Sequence, residues 1–203
     1  MSKVQKKAAG RIAIFGGTFD PVHQGHLEVA KQAVNMASLD RVIFLPCRQS
    51  PHKEVATGAS ELERLEMLQR ATTEFSWAEV SSWEYHQPLP SYSWRAAEYF
   101  RGEFPEAELF WLMGQDQWEV IETWSRAEWL SELVTFIVHA RQGEQPCANA
   151  RDLTGEAVFA ISGDHPASSS AIRALFAEGS EVPTNWLPHG VEEIVQKREL
   201  YQK

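Results

Sequence analysis

The chain has 203 residues, a formal net charge of −9 and 43% hydrophobic residues. This length suits one domain with a substantial core, and the acidic balance argues against non-specific nucleic-acid binding, which needs a basic face. No apolar run approaches the roughly 18 residues that cross a membrane, and two cysteines do not make a disulfide framework. We therefore expect a cytoplasmic protein that binds neither nucleic acid nor a membrane.

The first ten residues predict a tail. They carry three lysines but lack the apolar core of a signal peptide. We expect residues 1–10 to be a flexible N-terminal tail and residues 11–203 to form a single domain.

Short apolar runs alternate with amphipathic segments along the rest of the chain. Apolar runs without strict alternation are typical of parallel strands covered on both faces. The predicted strands are Arg11–Phe15, Arg41–Pro46, Ala78–Ser81, Glu108–Met113, Leu133–His139 and Ala157–Ile161. The predicted helices are Gly25–Ala37, Ser60–Thr73, Tyr92–Arg101, Trp118–Leu130, Ser169–Ala177 and Gly190–Lys197.

This alternation predicts an α/β fold with a doubly wound, mainly parallel, Rossmann-like sheet and helices on both faces. Ligands of such a sheet bind beyond the carboxyl ends of its strands. In the second predicted helix, Leu62, Leu65 and Leu68 stand among charged residues and favour an amphipathic helix. The polar segment 142–154 predicts a mobile loop.

The loop after the first predicted strand, Gly16-Gly17-Thr18-Phe19, indicates a phosphate site. Two glycines let the backbone turn tightly and bring its amide groups close to an anion. His23 and His26 follow at i and i+3, which places both imidazoles on one face of a helix. Paired imidazoles beside such a loop suit a polyphosphate and the charge that develops when it reacts.

Other interpretations of this loop fit less well. Neither the G-x-G-x-x-G fingerprint of dinucleotide binding nor the Gly-Lys-Ser/Thr of a Walker loop is present. A zinc site normally needs three or four protein ligands at characteristic spacing. The remaining histidines and the cysteines are scattered and form no matching pair: His52, His86, His139, His165, His189, Cys47 and Cys147.

A second anion site is predicted near residue 170. Ser168-Ser169-Ser170 before Ala-Ile-Arg predicts a helix N-cap and first turn, and Gly179 suits the C′ position of that helix. Free amides and hydroxyls at this positive helix end would bind an anion, and Arg173 would reach a phosphate as a bidentate donor. An ordinary capped helix with a solvated arginine is the alternative.

These motifs resemble a known family. The H-x-G-H segment after a glycine turn is similar to the phosphate-binding signature of the nucleotidyltransferase superfamily, in which a Ser/Thr-rich turn followed by Ile-Arg contacts the triphosphate. The order and spacing of further motifs resemble bacterial nicotinate-nucleotide adenylyltransferases over about residues 11–201. These motifs are Pro51-His52-Lys53, Pro90-Ser91-Tyr92-Ser93, Gly114-Gln115-Asp116 with Trp124 eight residues later, Leu187-Pro188 and Leu200-Tyr201.

The chain also departs from that family's pattern. Arg141-Gln142-Gly143 stands where Arg-Pro-Gly is usual, and Ala96 stands where a threonine is usual. The segment 162–166 looks like an insertion. These differences affect the expected identity of the acceptor nucleotide more than the expected adenylyl-transfer chemistry.

The resemblance implies transfer of the adenylyl group of ATP to nicotinate mononucleotide, giving nicotinic acid adenine dinucleotide and pyrophosphate in NAD biosynthesis. His23, His26 and Arg173 would be catalytic, and Mg²⁺ would be carried by the ATP phosphates with no protein ligands. The ATP-binding residues would be Gly16, Gly17, Thr18, Phe19, Gly114, Asp116, Ser169 and Ser170. The acceptor-binding residues would be His52, Lys53, Tyr92, Ser93, Trp124 and Arg141.

Three alternatives remain open from the sequence. One is another small-acceptor nucleotidyltransferase, acting on nicotinamide mononucleotide or phosphopantetheine or making a cytidylyl product. Another is a nucleotide-binding regulator without turnover, and the third is a structural or interaction protein. The sequence leaves the oligomeric state open, and it is compatible with a homo-oligomer.

Overall fold

A single parallel sheet organises the part of the chain that a computed structural model describes, residues 10–49, 58–141, 152–156, 158–163 and 165–202. Its strands are β1 (Arg11–Gly17), β2 (Arg41–Pro46), β3 (Ala78–Val80), β4 (Glu108–Gly114), β5 (Thr135–Arg141) and β6 (Phe159–Gly163). All neighbours pair in parallel, in the order β3-β2-β1-β4-β5-β6. The predicted doubly wound sheet is confirmed.

Helices cover both faces of this sheet. Alternate residues of β1 enter different cores: Ala13 and Phe15 pack on one face, and Ile12 and Ile14 pack on the other. The helices are α1 (Gln24–Met36), α2 (Glu61–Thr72), α3 (Ser93–Glu103), α4 (Gln115–Trp118), α5 (Ala127–Leu133), α6 (Ser169–Ala177) and α7 (Val191–Lys197). The first core receives α1, α2, α6 and α7, and the second receives α3 and α5.

The strand order creates a crevice between β1 and β4. From β1 the chain continues to β2 on one side, and it later returns to β4 on the other side. Loops that leave such a switch point diverge, so a crevice opens at the carboxyl ends of the strands. Gly16 and Gly17 at the end of β1 and the Gly114–Asp116 turn at the end of β4 line one cavity at this crevice.

The predicted helix Trp118–Leu130 is wrong. The chain forms the short α4, a 3-10 turn at Ile121–Thr123, and then α5. Trp124 is extended, with φ −71° and ψ 141°, and Arg126 is left-handed, with φ 53° and ψ 43°. A left-handed residue cannot continue a right-handed helix, so the continuous apolar pattern of this segment spans separate elements.

Five predicted strands have shifted boundaries: β1 and β4 continue to Gly17 and Gly114, β3 ends one residue earlier than predicted, and β5 and β6 are each displaced by two residues. Leu133 ends α5, and β5 begins two residues later than predicted. Strand β6 runs to Gly163, so Ser162 and Gly163 belong to the sheet. Ala157, where this strand was predicted to start, lies outside the described residues, as do residues 1–9 and 142–151.

The apolar face of α2 differs from the predicted leucine stripe. Leu62 is 74% exposed, whereas Arg64 is only 1% exposed. The buried face follows the i, i+3, i+4, i+7 pattern through Arg64, Met67, Leu68 and Ala71. Leucines spaced every three residues do not stay on one face of a helix with 3.6 residues per turn, so Leu62 lies outside the buried face. The buried Arg64 lies next to the glycine loop.

The buried carboxylate of Asp20 ties four segments together. Its oxygens accept hydrogen bonds from the amides of Gly58 (2.9 Å) and Ala59 (3.1 Å) and from the hydroxyl of Tyr201 (2.7 Å). Its backbone carbonyl accepts a hydrogen bond from Arg173 Nη1 at 2.6 Å. The loop after β1 is therefore held by the start of α2, by the C-terminal turn and by α6.

The described helices contain no segment that is both long and apolar enough to cross a lipid bilayer.

We predict that Tyr201→Phe lowers the free energy of unfolding by about 1.5–3 kcal/mol, because the Asp20 carboxylate loses a charge-assisted hydrogen bond. Burial and then the neighbouring Asp20 raise the pKa of Tyr201 above its ordinary value of 10.0. The folded protein therefore keeps this proton when the unfolded chain has lost it. Stability should fall by up to about 1.4 kcal/mol per pH unit above pH 10, and the variant should lack this contribution.

Urea unfolding at neutral pH and above pH 10 measures both effects. Tyr99→Phe is the matched control at neutral pH, because the Tyr99 side chain is 37% exposed. Equal unfolding free energies for Tyr201→Phe and the unmodified chain at neutral pH would contradict the account.

Candidate active site

The glycine loop owes its shape to two close approaches. A Cβ at Gly17 would lie 2.9 Å from the Phe19 ring, and a Cβ at Gly16 would lie 3.1 Å from the Trp111 ring. Phe19 itself has φ 50° and is 1% exposed. A left-handed φ is costly for an aromatic residue and persists only when packing holds it. Here the Phe19 ring packs edge-on against Phe15 and His26.

His23 and His26 stack at the start of α1. Their ring centroids are 3.7 Å apart, with 31° between the planes. The backbone amide of His23 donates to His26 Nδ1 at 3.2 Å. Because Nδ1 accepts, the proton of a neutral His26 ring resides on Nε2, which is thereby a donor. The predicted pairing of the two imidazoles on one face is present.

One cavity, which we call the histidine cavity, lies over this pair. It has a volume of about 430 Å³ and is lined by His23, His26, His139, His165, Gly163 and Asp116, among others. The expectation that the other histidines are scattered is therefore wrong for His139 and His165, which β5 and the residues after β6 bring to the same cavity. Within the described ranges, no group of three His, Cys, Asp or Glu residues could hold a metal ion.

His165 has a structural role at this cavity. Its Nδ1 accepts the amide proton of Ala167 at 3.1 Å, so the Nε2 of its neutral ring carries the proton and donates to the Asn185 carbonyl, also at 3.1 Å. The ring therefore fixes the turn that leads into α6.

The capped helix predicted near residue 170 is confirmed as α6. Ser168 Oγ accepts the amide of Ala171, and Gly179, at φ 68°, occupies the C′ position. The amide of Ser180 bonds to the Leu175 carbonyl and that of Gly179 to the Phe176 carbonyl, which is a Schellman ending.

Arg173 and Ser169 dock α6 on the glycine loop. Ser169 Oγ donates to the Pro21 carbonyl at 2.9 Å, while Arg173 donates to the Asp20 carbonyl and to Ser170 Oγ. Arg173 is thus a bonded residue at the edge of the loop and not a solvated one.

A second cavity, which we call the aromatic cavity, lies on the other side of Gly114 and Asp116. Its volume is about 200 Å³. Phe15, Met113, Gly114 and Asp116 line both cavities, so the two adjoin. The aromatic cavity brings together the predicted residues Gly16, Gly17, Thr18, Tyr92, Ser93 and Trp124, with the additional residues Leu45, Cys47, Glu84, Ser91 and Trp111.

Asp116 stands at the junction of the two cavities because Gly114 makes room for it. A Cβ at Gly114 would lie 2.5 Å from Asp116 Oδ1. The other carboxylate oxygen accepts from Gln117 Nε2 at 3.2 Å. Asp116 therefore belongs to the lining of both cavities.

Ser91 anchors the turn that carries Tyr92 and Ser93. Its Oγ accepts from the amides of Arg48 (3.2 Å) and Gln49 (3.3 Å), and its own amide donates to the Gln49 carbonyl. The side chain of Glu84 lies beside the Ser91 hydroxyl, which interacts with its carboxyl group. Burial raises the pKa of Glu84, while the bond to Ser91 and the charge of Arg95 oppose the rise.

The buried guanidinium of Arg64 supports the wall of the aromatic cavity. Its Nη1 donates to the carbonyls of Thr18 and Cys47, each at 2.8 Å, and the group lies over the Tyr85 ring. A cation with these partners joins the glycine loop to the end of β2.

Some predicted residues lie outside this description. His52 and Lys53 fall in residues 50–57, which are not described, and Arg141 ends β5 with a side chain that is not described either. Sequence reasoning in turn missed Asp20, Glu84 and Arg64. The partners of Asp20 and Arg64 are distant in sequence, and no local period marks any of these three residues.

A parallel sheet that places a glycine loop and stacked imidazoles at its switch point defines the α/β nucleotidyltransferase class. The cytidylyltransferase-like family model matches residues 14–175. Among curated relatives, a probable nicotinate-nucleotide adenylyltransferase of Methylacidiphilum infernorum is 44% identical over 143 residues, which cover 70% of each chain. One of Gloeobacter violaceus with the same description is 36% identical over 197 residues, covering 94% of this chain and 96% of the relative. The chain therefore belongs to the nicotinate-nucleotide adenylyltransferase family.

The fold likeness extends to a solved structure. Nicotinic acid mononucleotide adenylyltransferase of Plasmodium falciparum, complexed with NaAD, superposes with a TM-score of 0.75 over 95% of this chain and 97% of the other. The two sequences are only 18% identical, so this likeness concerns the fold.

Proposed function

We propose that this chain transfers the adenylyl group of ATP to nicotinate mononucleotide, giving nicotinic acid adenine dinucleotide and pyrophosphate. The observation that carries the proposal is the stacked His23–His26 pair beside two adjoining cavities that share Asp116. One cavity would take the adenylyl donor and the other the pyridine nucleotide, so the two phosphates would meet near the junction. The family membership of the chain supports the same substrates.

The reaction is a displacement at the α-phosphorus of ATP. An oxygen of the acceptor's phosphate forms the new P–O bond while the bond to the β-phosphate breaks, and pyrophosphate leaves with the electron pair. Because the attacking phosphate is already an anion, no general base is needed. ATP would enter as its magnesium complex, and the ion would supply positive charge beside the departing pyrophosphate.

The protein's contribution is to position the phosphates and stabilise charge. The Nε2–H of His26 and the imidazole of His23 would donate to oxygens of the α-phosphoryl group, where negative charge accumulates during transfer. Amides of Gly16, Gly17 and Thr18 would contact the phosphates, and Arg173 with the α6 N-terminus would contact the triphosphate.

Acceptor binding is assigned to the aromatic cavity. Trp124 would stack on the pyridine ring, and the Tyr92-Ser93 turn would donate to the nicotinate carboxylate. Asp116 would accept from a ribose hydroxyl, and Ser169 and Ser170 would add hydroxyls at the ATP phosphates. His52, Lys53 and Arg141 are proposed to hold the acceptor's phosphate.

We further place the reaction in the cytoplasm and within one nucleotidyltransferase domain formed by residues 11–203. Both assignments rest on the sequence: two cysteines without a disulfide pattern, and a continuous βα alternation after residue 10.

The deciding experiment is pyrophosphate release with MgATP and nicotinate mononucleotide. A parallel series replaces ATP by CTP and the acceptor by phosphopantetheine. Release with the ATP and nicotinate mononucleotide pair is expected. Turnover confined to another pair would assign a different nucleotidyltransferase activity, and ATP binding without any release would identify a regulator.

We predict that His23→Ala and His26→Ala each lower kcat by about 100-fold or more, because each removes a preorganised donor to the reacting phosphoryl group. His26→Ala also removes the acceptor of the His23 amide at the start of α1 and should cost about 0.5–2 kcal/mol of stability. Single-turnover rates, measured well below the melting temperature of each variant, separate the two effects.

His189→Ala is the matched control, since His189 is exposed and distant in sequence from the pair. Near-normal kcat in both the His23 and His26 variants would refute the assigned mechanism.

We also predict that kcat/KM is at least about tenfold higher for nicotinate mononucleotide than for nicotinamide mononucleotide, because an amide NH₂ would face hydrogen-bond donors of the Tyr92-Ser93 turn. Trp124→Ala should lower acceptor efficiency by about tenfold while ATP binding is largely kept. Steady-state kinetics with both acceptors and calorimetry with ATP check these values. Trp129 lies on the outer surface of α5, so Trp129→Ala should leave kcat/KM and ATP binding unchanged. Equal kcat/KM for the two acceptors would refute the carboxylate pocket.

A further inference from the structure

Glu84 places a carboxyl group in the wall of the aromatic cavity. It belongs to the 3-10 turn Trp83–His86, is 4% exposed, and lines the same cavity as Tyr92, Ser93 and Trp124. A carboxylate in such surroundings loses most of its hydration, which disfavours its ionised form. An acidic side chain is unexpected in a cavity assigned to an acidic acceptor, and it requires an explanation.

Ser91 lies beside this carboxyl group. The Ser91 hydroxyl has one proton and two lone pairs. Its oxygen accepts from the amides of Arg48 and Gln49, so its proton is available to the carboxyl oxygens of Glu84, and this interaction lowers the pKa of Glu84. Glu84 therefore sits at the base of the turn that presents Tyr92 and Ser93 to the cavity.

The surrounding charges are few and mostly engaged elsewhere. Arg95 attracts the carboxylate, yet its Nη1 donates to the carbonyls of Pro88 and Pro90. Arg48 is paired with Glu61. Three further titratable groups line the same cavity: Asp116, Cys47 and Tyr92. Burial outweighs the attraction, so the pKa of Glu84 lies above its ordinary value of 4.5.

We propose that Glu84 is a specificity-determining residue whose charge controls how strongly the aromatic cavity accepts an anionic ring substituent. The proposal rests on the proposed function, in which nicotinate and nicotinamide nucleotides compete for this cavity. A neutral Glu84 does not repel the nicotinate carboxylate and can donate its own O–H. An ionised Glu84 repels the nicotinate carboxylate within a cavity of about 200 Å³ but leaves the neutral amide almost unaffected.

The sign of the pH dependence follows. Because burial raises the pKa of Glu84, the neutral form persists to a higher pH than for an exposed glutamate. As the pH rises through that pKa, the carboxylate appears and the preference for the acid over the amide should fall. The phosphate group common to both acceptors titrates equally in each, so its effect cancels in the ratio of their dissociation constants.

The test measures this ratio by calorimetry between about pH 5 and about pH 9, in the presence of a non-hydrolysable ATP analogue. For the unmodified protein we expect the preference for nicotinate mononucleotide to fall by about tenfold as the pH rises. Glu84→Gln should keep the low-pH preference throughout. Glu103→Gln, which changes an exposed glutamate of α3, is the matched control and should retain the full dependence.

A second variant keeps the test decisive if Glu84→Gln does not fold. The Ser91 hydrogen bond lowers the pKa of Glu84, so Ser91→Ala should move the midpoint of the dependence to higher pH. A ratio that does not vary with pH in the unmodified protein, or an unchanged slope in Glu84→Gln, overturns the role of Glu84 and leaves adenylyl transfer standing. Absence of pyrophosphate release with either acceptor would instead refute the proposed function.

Discussion

The geometry of this site depends on one buried carboxylate. Asp20 lies in the loop between β1 and α1, where it accepts hydrogen bonds from two amides at the start of α2 and from the hydroxyl of Tyr201, while its carbonyl receives Arg173. A buried charge is tolerated only when its partners are in place, and removing one partner is costly. Segments separated by up to 181 positions along the chain are thereby held against the loop that carries the histidine pair.

Arg64 complements Asp20 from the other side of the same loop. Its guanidinium donates hydrogen bonds to the carbonyls of Thr18 and Cys47. Ser169 donates to the carbonyl of Pro21, and Arg173 donates to that of Asp20. Carbonyl oxygens would repel a polyphosphate, so their engagement by donors behind the loop favours anion binding in front of it. The imidazoles of His23 and His26 line the cavity beside this loop, and in the proposed reaction they supply the donors that stabilise a reacting phosphoryl group.

The sequence predicts those parts of the structure that local patterns encode. The βα alternation predicts the parallel sheet, the i, i+3 spacing predicts the pairing of His23 and His26, and the serine run predicts the cap of α6. The interactions of Asp20, Arg64 and Glu84 escape such reasoning because their partners lie on other elements. The same limit explains why the continuous helix 118–130 is wrong: its apolar period gives no sign that Arg126 is left-handed. It also explains why the predicted leucine stripe of α2 includes the exposed Leu62.

In the proposed reaction the acceptor's phosphate displaces pyrophosphate directly, and the histidines act as hydrogen-bond donors. The hydrogen bond from the His23 amide to His26 Nδ1 leaves the proton on Nε2 of the neutral ring, so that nitrogen has no lone pair for nucleophilic attack. The most direct measurement is the stereochemical course of transfer from ATP made chiral by sulfur at the α-phosphorus. A single in-line displacement predicts inversion of configuration in the dinucleotide product. Retention would show two displacements through an adenylyl-enzyme intermediate and would contradict the account.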